Sequence, residues 1–142
     1  MISIIVTCFN ESEIINEFII ALNKEISKIN EKFEVIFVDN KSSDNTLEII
    51  KNNIGLFNNY KIIILSNYFG KESGILAGLD NSGGDAIIIM DPDLEDPPEM
   101  IKDFILNNIH FITHISILNT LFLNHGFPLL FFFFLKLYLI KN

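Results

Sequence analysis

The chain has no arginine and no tryptophan, a single cysteine, and not one acidic residue after Asp103. Without arginine it lacks the planar fork that grips phosphate in two places. With a formal charge of −8 at pH 7, it is also a poor match for a nucleic-acid backbone, so no nucleic-acid partner is expected. Cys8 cannot form a disulfide within the chain, and no cationic run precedes Glu11 and Glu13 near the N-terminus. A secreted, disulfide-stapled protein is therefore not expected, and a cytoplasmic location is. Cys8 sits in an apolar run and reads as a small buried hydrophobe. The 142 residues suffice for one compact domain with a core, and not comfortably for two.

What is present is a regular alternation. Ile2 to Val6 is apolar and mostly β-branched, short enough for a buried strand, and Asn10 three places before Glu13 suits a capped helix start. Ile15, Phe18, Ile19, Leu22, Ile26 and Ile29 then recur at helical spacing, with Glu17, Lys24, Glu25 and Lys28 on the wet side. "FEVIFV" (Phe33 to Val38), "YKIIIL" (Tyr60 to Leu65) and "DAIIIM" (Asp85 to Met90) read as three further strands. Between and after them come the turn cluster "DNKSSDNT" with a short helix, a helix marked by Ile75, Leu76 and Leu79, and a last helix opened by Pro97 and Pro98. Continuously apolar strands alternating with helices predict a doubly wound, mostly parallel α/β sheet covered on both faces.

The pattern stops after residue 106, which divides the chain into a domain over 1–106 and a hydrophobic tail over 107–142. The tail holds half of the 14 phenylalanines. Its stretch Ile115 to Leu135 is apolar but interrupted by Asn119, Asn124, His125 and Pro128, which puts it at the border of a membrane span. The other reading is a shifted reading frame, because an AT-rich gene translated out of frame yields Phe, Leu and Ile. A span would make the protein membrane-associated.

Ligands of a parallel α/β sheet bind outside the carboxyl ends of its strands. The residues at those ends are Thr7, Phe9, Asn10 and Glu11; Asp39 and Asn40; Asn67, Gly70 and Lys71; Asp91 and Asp93. Asp91-Pro92-Asp93 can aim two carboxylates into one space, a hard-cation site for Mg2+ or Mn2+ that substrate phosphates complete. The bland alternative makes them solvated turn residues. Asp39 is a turn residue or an acceptor for a base or ribose, and Lys71 beside Gly70 serves an anion or only solvent. Asp96 and Glu99 suit the start of a helix. His110 and His114 have metal-pair spacing but no partner at a strand end.

"IIVTCFNESE", "FVDNKSSDNT", "NYFGKESGILAGLD" and "GDAIIIMDPDLEDPPEMI" resemble, in order and spacing, the family 2 glycosyltransferases of GT-A fold. The likeness is strongest to the branch that moves a sugar from a nucleotide diphosphate to a polyprenyl or dolichyl phosphate. There the pattern runs IPVYNE, VDDGSSDGT, NFGKEAAL and DADLQDPPE. The resemblance implies that Thr7, Phe9, Glu11 and Asp39 line the nucleotide pocket, with Lys71 near the phosphates. It further implies that Asp91, Asp93 and Glu95 surround Mg2+ or Mn2+ on the diphosphate of a nucleotide-sugar donor. Thr7 stands where the family has proline, Asn40 where it has its second aspartate, Lys41 and Asn45 at its turn glycines, Asn67-Tyr68 for Arg-Asn, and Glu95 for glutamine.

The likeness covers about the first 105 residues, the donor-binding half of such a domain, and no candidate general base stands among them. The expected activity is thus sugar transfer to a lipid phosphate or other acceptor, incomplete here, and the alternative is a non-catalytic truncated remnant. A phosphatase reading with Asp91 as nucleophile fits less well, because Glu95 occupies the Thr/Val place of that motif. A dinucleotide fold lacks its Gly-x-Gly-x-x-Gly after the first strand.

Overall fold

The computed structural model describes residues 1–95 and 97–106, so the expectations for Asp96, for the three histidines and for the tail over 107–142 lie outside the described residues. The elements are β1 (Ile2–Cys8), α1 (Ile15–Ile26), β2 (Phe33–Asp39), α2 (Thr46–Asn53), β3 (Tyr60–Ile64), α3 (Lys71–Asp80), β4 (Ala86–Met90) and α4 (Met100–Leu106), with a 3-10 turn at Ile54–Leu56. All four strands are parallel, in the order β3-β2-β1-β4. The expected parallel α/β sheet is present.

Alternation along the strands divides the core between the two faces. Ile4, Val6, Val35, Phe37, Ile88 and Met90 point to one side, where Phe18 and Leu22 of α1, Ile50 of α2 and Ile101 of α4 cover them. Ile5, Ile36, Val38 and Ile89 point to the other, against Ile75 and Leu79 of α3. Gly78 lets α3 lie close: a Cβ there would collide with Cγ2 of the fully buried Ile5.

Three expectations need correction. Asn10 does not cap α1, because the N-cap position is Ile14 without a side-chain bond; the Asn10 backbone is left-handed (φ 57°) and its side chain serves another loop. The first strand runs on through Thr7 to Cys8, since its pairing with β2 continues to Cys8 and Asp39. And β3 is not covered on both faces: as an edge strand it leaves Tyr60 and Ile64 about half exposed, a difference that an apolar run alone cannot reveal.

At the amino ends of the strands the buried Glu34 ties three segments together. It accepts from the Ser3 hydroxyl (2.9 Å) and the Gly83 N–H (2.9 Å) and pairs with Lys61 (2.7 Å). Burial alone would raise its pKa, but Lys61, Gly83 and Ser3 hold it below the usual value. Among the described residues no helix is long and apolar enough to cross a membrane.

Candidate functional site

The strand register brings Cys8, Asp39 and Ile64 level, with Met90 two places lower against Val6. The chain segments leaving β1, β2 and β4 and the one entering α3 therefore meet at one edge. Between them lies a cleft of about 240 Å3 lined by Thr7, Cys8, Phe9, Glu11, Asn40, Tyr68, Lys71, Asp91, Pro92 and Asp93. A larger hollow of about 460 Å3 lies at the other end, around Met1, Ile26, Phe33, Leu56 and Phe57. It has no paired carboxylates, whereas Asp91 and Asp93 line the cleft at the carboxyl edge.

Charge dominates the cleft. Burial raises the pKa of Glu11, the negative charges of Asp93, Asp91 and Asp44 raise it further, and Lys71 opposes them. The Lys71 ammonium meets Asp91 Oδ2, with the carboxylate largely shielded and the lysine half exposed. Asp93 is exposed, and its Oδ1 accepts the Glu95 N–H at 3.0 Å. Cys8 is 1% exposed; burial first, then the nearby Glu11, Asp39 and Asp91, push its thiol well above the ordinary value, so it stays a neutral hydrophobe.

Of the residues singled out by sequence, Thr7, Phe9, Glu11, Lys71, Asp91 and Asp93 come together around the cleft. Asp39 and Glu95 are not among its lining residues. Asp39 is buried at the end of β2, where its carboxylate faces the Ser42 N–H at 3.3 and 3.4 Å. Glu95 is exposed beyond the turn at Leu94 (φ 61°). Of the three expected metal ligands, Asp91 and Asp93 line the cleft and Glu95 does not, and among the described residues no group of three ligating side chains is gathered. Two still fit a hard divalent ion that takes its remaining oxygens from a diphosphate and water.

Asn40, placed at a strand end by sequence but given no role there, and Tyr68, noted only as a departure from the family pattern, also line the cleft. Asn40 is 2% exposed; its amide donates to the Gly70 carbonyl (2.7 Å) and its carbonyl accepts the Phe69 N–H (3.0 Å). It thereby fixes the turn at Gly70 (φ 86°) from which Lys71 starts α3, a double role that an aspartate could not fill. Tyr68 lies with its ring centroid 4.2 Å from that of Phe9, tilted 37°, and both rings are partly exposed, at 52% and 39%. The cue for Tyr68 was an aromatic one residue before a Phe-Gly turn, which carries no direction in space.

The pattern of glycosyl transferase family 2 matches residues 3–107. CsbB of Bacillus subtilis, assigned as a glycosyltransferase, is 38% identical over 105 residues, covering 74% of this chain and 32% of that protein. The undecaprenyl-phosphate 4-deoxy-4-formamido-L-arabinose transferase of Proteus mirabilis is 33% identical over 101 residues, covering 70% and 31%. Among solved structures, S. aureus TarS 1-349 in complex with UDP-GlcNAc superposes with a TM-score of 0.59 at 26% identity, over 74% of this chain and 30% of that one. The chain spans about a third of the length of the curated relatives it matches. By its sequence pattern, its parallel sheet and its solved neighbour, the chain belongs to glycosyl transferase family 2.

Proposed function

We propose that residues 1–106 form the donor-binding part of a glycosyltransferase that moves a sugar from a nucleoside diphosphate to an acceptor, with a divalent ion on the diphosphate. The observation carrying this reading is the meeting of Glu11, Lys71, Asp91 and Asp93, from three separate strand ends, in one cleft beside the Phe9–Tyr68 pair. Clustered carboxylates raise one another's proton affinity, as at Glu11, and a cation relieves that repulsion.

In this reading Asp91 and Asp93 hold Mg2+ or Mn2+, and when bound the ion stabilises charge on the departing diphosphate. Lys71 adds an ammonium on the same side, fixed by the turn that Asn40 braces. The partly exposed Phe9 and Tyr68 rings offer apolar surface to a nucleobase at the rim. Thr7 lines the cleft, and Asp39, which does not, is assigned to the nucleoside side on the sequence pattern alone. A polyprenyl phosphate is the proposed acceptor, on the strength of the Proteus mirabilis relative's name and the sequence pattern; that acceptor places the enzyme at a membrane surface.

Calorimetric titration of the full chain with UDP, GDP and their sugars, each with and without Mn2+, tests the reading. Metal-dependent heat is expected with at least one of them. Absence of heat from every pairing defeats the proposal.

A further inference from the structure

The turn cluster between β2 and α2 is larger than a chain reversal needs, and none of its side chains beyond Asn40 lines the cleft. Its partners explain it. Three consecutive N–H groups of the β1–α1 loop donate into it: Asn10 to the Ser42 hydroxyl (3.0 Å), Glu11 to the Thr46 hydroxyl (2.7 Å) and Ser12 to Asp44 Oδ2 (3.0 Å). The Asn10 side chain returns the contact, accepting the Ser43 N–H at 2.8 Å. Ser43 also donates its hydroxyl to Asn10, at 3.2 Å.

At the centre is a directional chain. Thr46, 0% exposed, accepts from the Glu11 N–H and donates its one hydroxyl proton to Asp44 Oδ1 at 2.5 Å. Asp44 also accepts the Thr46 N–H at 3.0 Å. Burial works against the Asp44 carboxylate, but the donors from Thr46 and Ser12 bring its pKa down to about 2, so it remains a full acceptor at any physiological pH. A hydroxyl has one proton to give; with it committed to Asp44, its oxygen lone pairs face Glu11.

We propose that Thr46 and Asp44 are positioning residues: the Glu11 N–H, Thr46 hydroxyl and Asp44 carboxylate form a relay that holds Glu11 at the mouth of the cleft. The inference rests on the donor-site reading, because it assigns a purpose to Glu11's position there. The Asn10 backbone (φ 57°) and the Lys41 backbone (φ 64°) are both left-handed, a conformation that asparagine adopts readily but that lysine holds only when its surroundings require it. The bonds to Ser42 and Ser43, next to Lys41, fix the turn in which it lies.

The test uses the full chain carrying Thr46→Ser, which keeps the hydroxyl, and Thr46→Val, which replaces it by a methyl group of similar shape. Two quantities are read on each: amide hydrogen exchange across Asn10–Ser12, and affinity for UDP or GDP with Mn2+ at a temperature where both variants are folded. The relay predicts that Thr46→Val exchanges the Glu11 amide at least about tenfold faster, whereas Thr46→Ser matches the parent. It predicts an accompanying loss of nucleotide affinity, about tenfold, in Thr46→Val alone.

Unchanged exchange in Thr46→Val overturns the relay. Faster exchange with unchanged affinity also overturns it, leaving a purely structural clasp and an intact donor site. If the parent chain binds no nucleotide with Mn2+, the donor-site reading fails and takes the positioning role with it, whatever the exchange shows. Should Thr46→Val fail to fold, Asp44→Asn read in the same two ways decides between the same outcomes.

Discussion

Lys71, the first residue of α3, pairs its ammonium with the carboxylate of Asp91, the first residue past β4. The contact joins a helix on one face of the sheet to the strand end that carries the acidic pair. Lys71→Met removes that charge while keeping most of the stem. With the lysine half exposed, the cost in stability is expected to be small, about 0–1 kcal/mol by urea unfolding. The loss of affinity for a nucleoside diphosphate should be larger, roughly tenfold or more in calorimetry. A stability loss without an affinity loss places Lys71 outside the ligand's reach.

Asp44 and Glu11 act on the stability curve in opposite directions, with Glu34 adding to the acid limb on the same side as Asp44. Asp44 has its folded pKa lowered from 3.8 to about 2, so its contribution is fully present above the unfolded value and is lost as pH falls through about 2. Asp44→Asn should flatten the acid limb below about pH 4. Glu11 is shifted the other way, upward from 4.5. Its ionisation works against the fold, so stability falls as pH rises past 4.5 and through the raised value. Glu11→Gln should therefore stabilise more at pH 7 than at pH 4, as thermal melts across that range would record.

Gly78 is where α3 touches the sheet. Gly78→Ala gains helix propensity of about 1 kcal/mol, but its methyl meets Ile5 Cγ2 in a fully packed core. Overpacking of this kind costs about 1–3 kcal/mol, so net destabilisation is expected. Adding Ile5→Ala opens the space, and a double-mutant cycle should give a favourable coupling between the two changes. Additive effects would place the helix farther from β1.

Asn40→Asp restores the residue that the family pattern has at this place. Here it removes the donor to the Gly70 carbonyl and sets a carboxylate against it at a position 2% exposed. A loss of about 1–3 kcal/mol is expected, and Asn40→Ala should cost a comparable amount by stranding the Phe69 N–H and leaving the Gly70 carbonyl only its long bond from the Gly74 N–H. A neutral or stabilising Asn40→Asp at pH 7 contradicts this account of the turn.

Much of the fold was legible in the residues themselves. The four strands were read within one or two residues at each end, because each writes a continuous apolar run, β3 included though it is half exposed, and the helix between Ile15 and Ile26 writes a 3.6-residue stripe. Exposure of Tyr60 and Ile64 was not legible, since edge or centre is decided by strand order, which periodicity does not record. At the site, Thr7, Phe9, Glu11, Lys71, Asp91 and Asp93 followed from one rule about strand ends. Asp39 obeys the same rule in sequence yet turns inward beneath Ser42, and Glu95, expected only from the family resemblance, is carried out by the left-handed Leu94. The misreading of Asn10 has a similar cause. Its spacing to Glu13 imitates a cap, while its real partner, Ser43, is 33 residues away and becomes visible only once β1 and β2 are paired in register.

The central claim is that Asp91 and Asp93 hold a divalent ion together with a nucleoside diphosphate. Its most direct measurement is Mn2+ binding followed by electron paramagnetic resonance, with and without UDP or GDP, in the parent chain and in Asp93→Asn. The account predicts that the diphosphate tightens Mn2+ binding to the parent at least about tenfold beyond binding by the nucleotide alone, and that Asp93→Asn abolishes the gain. Equal Mn2+ binding by parent and variant in the presence of both nucleotides would contradict it.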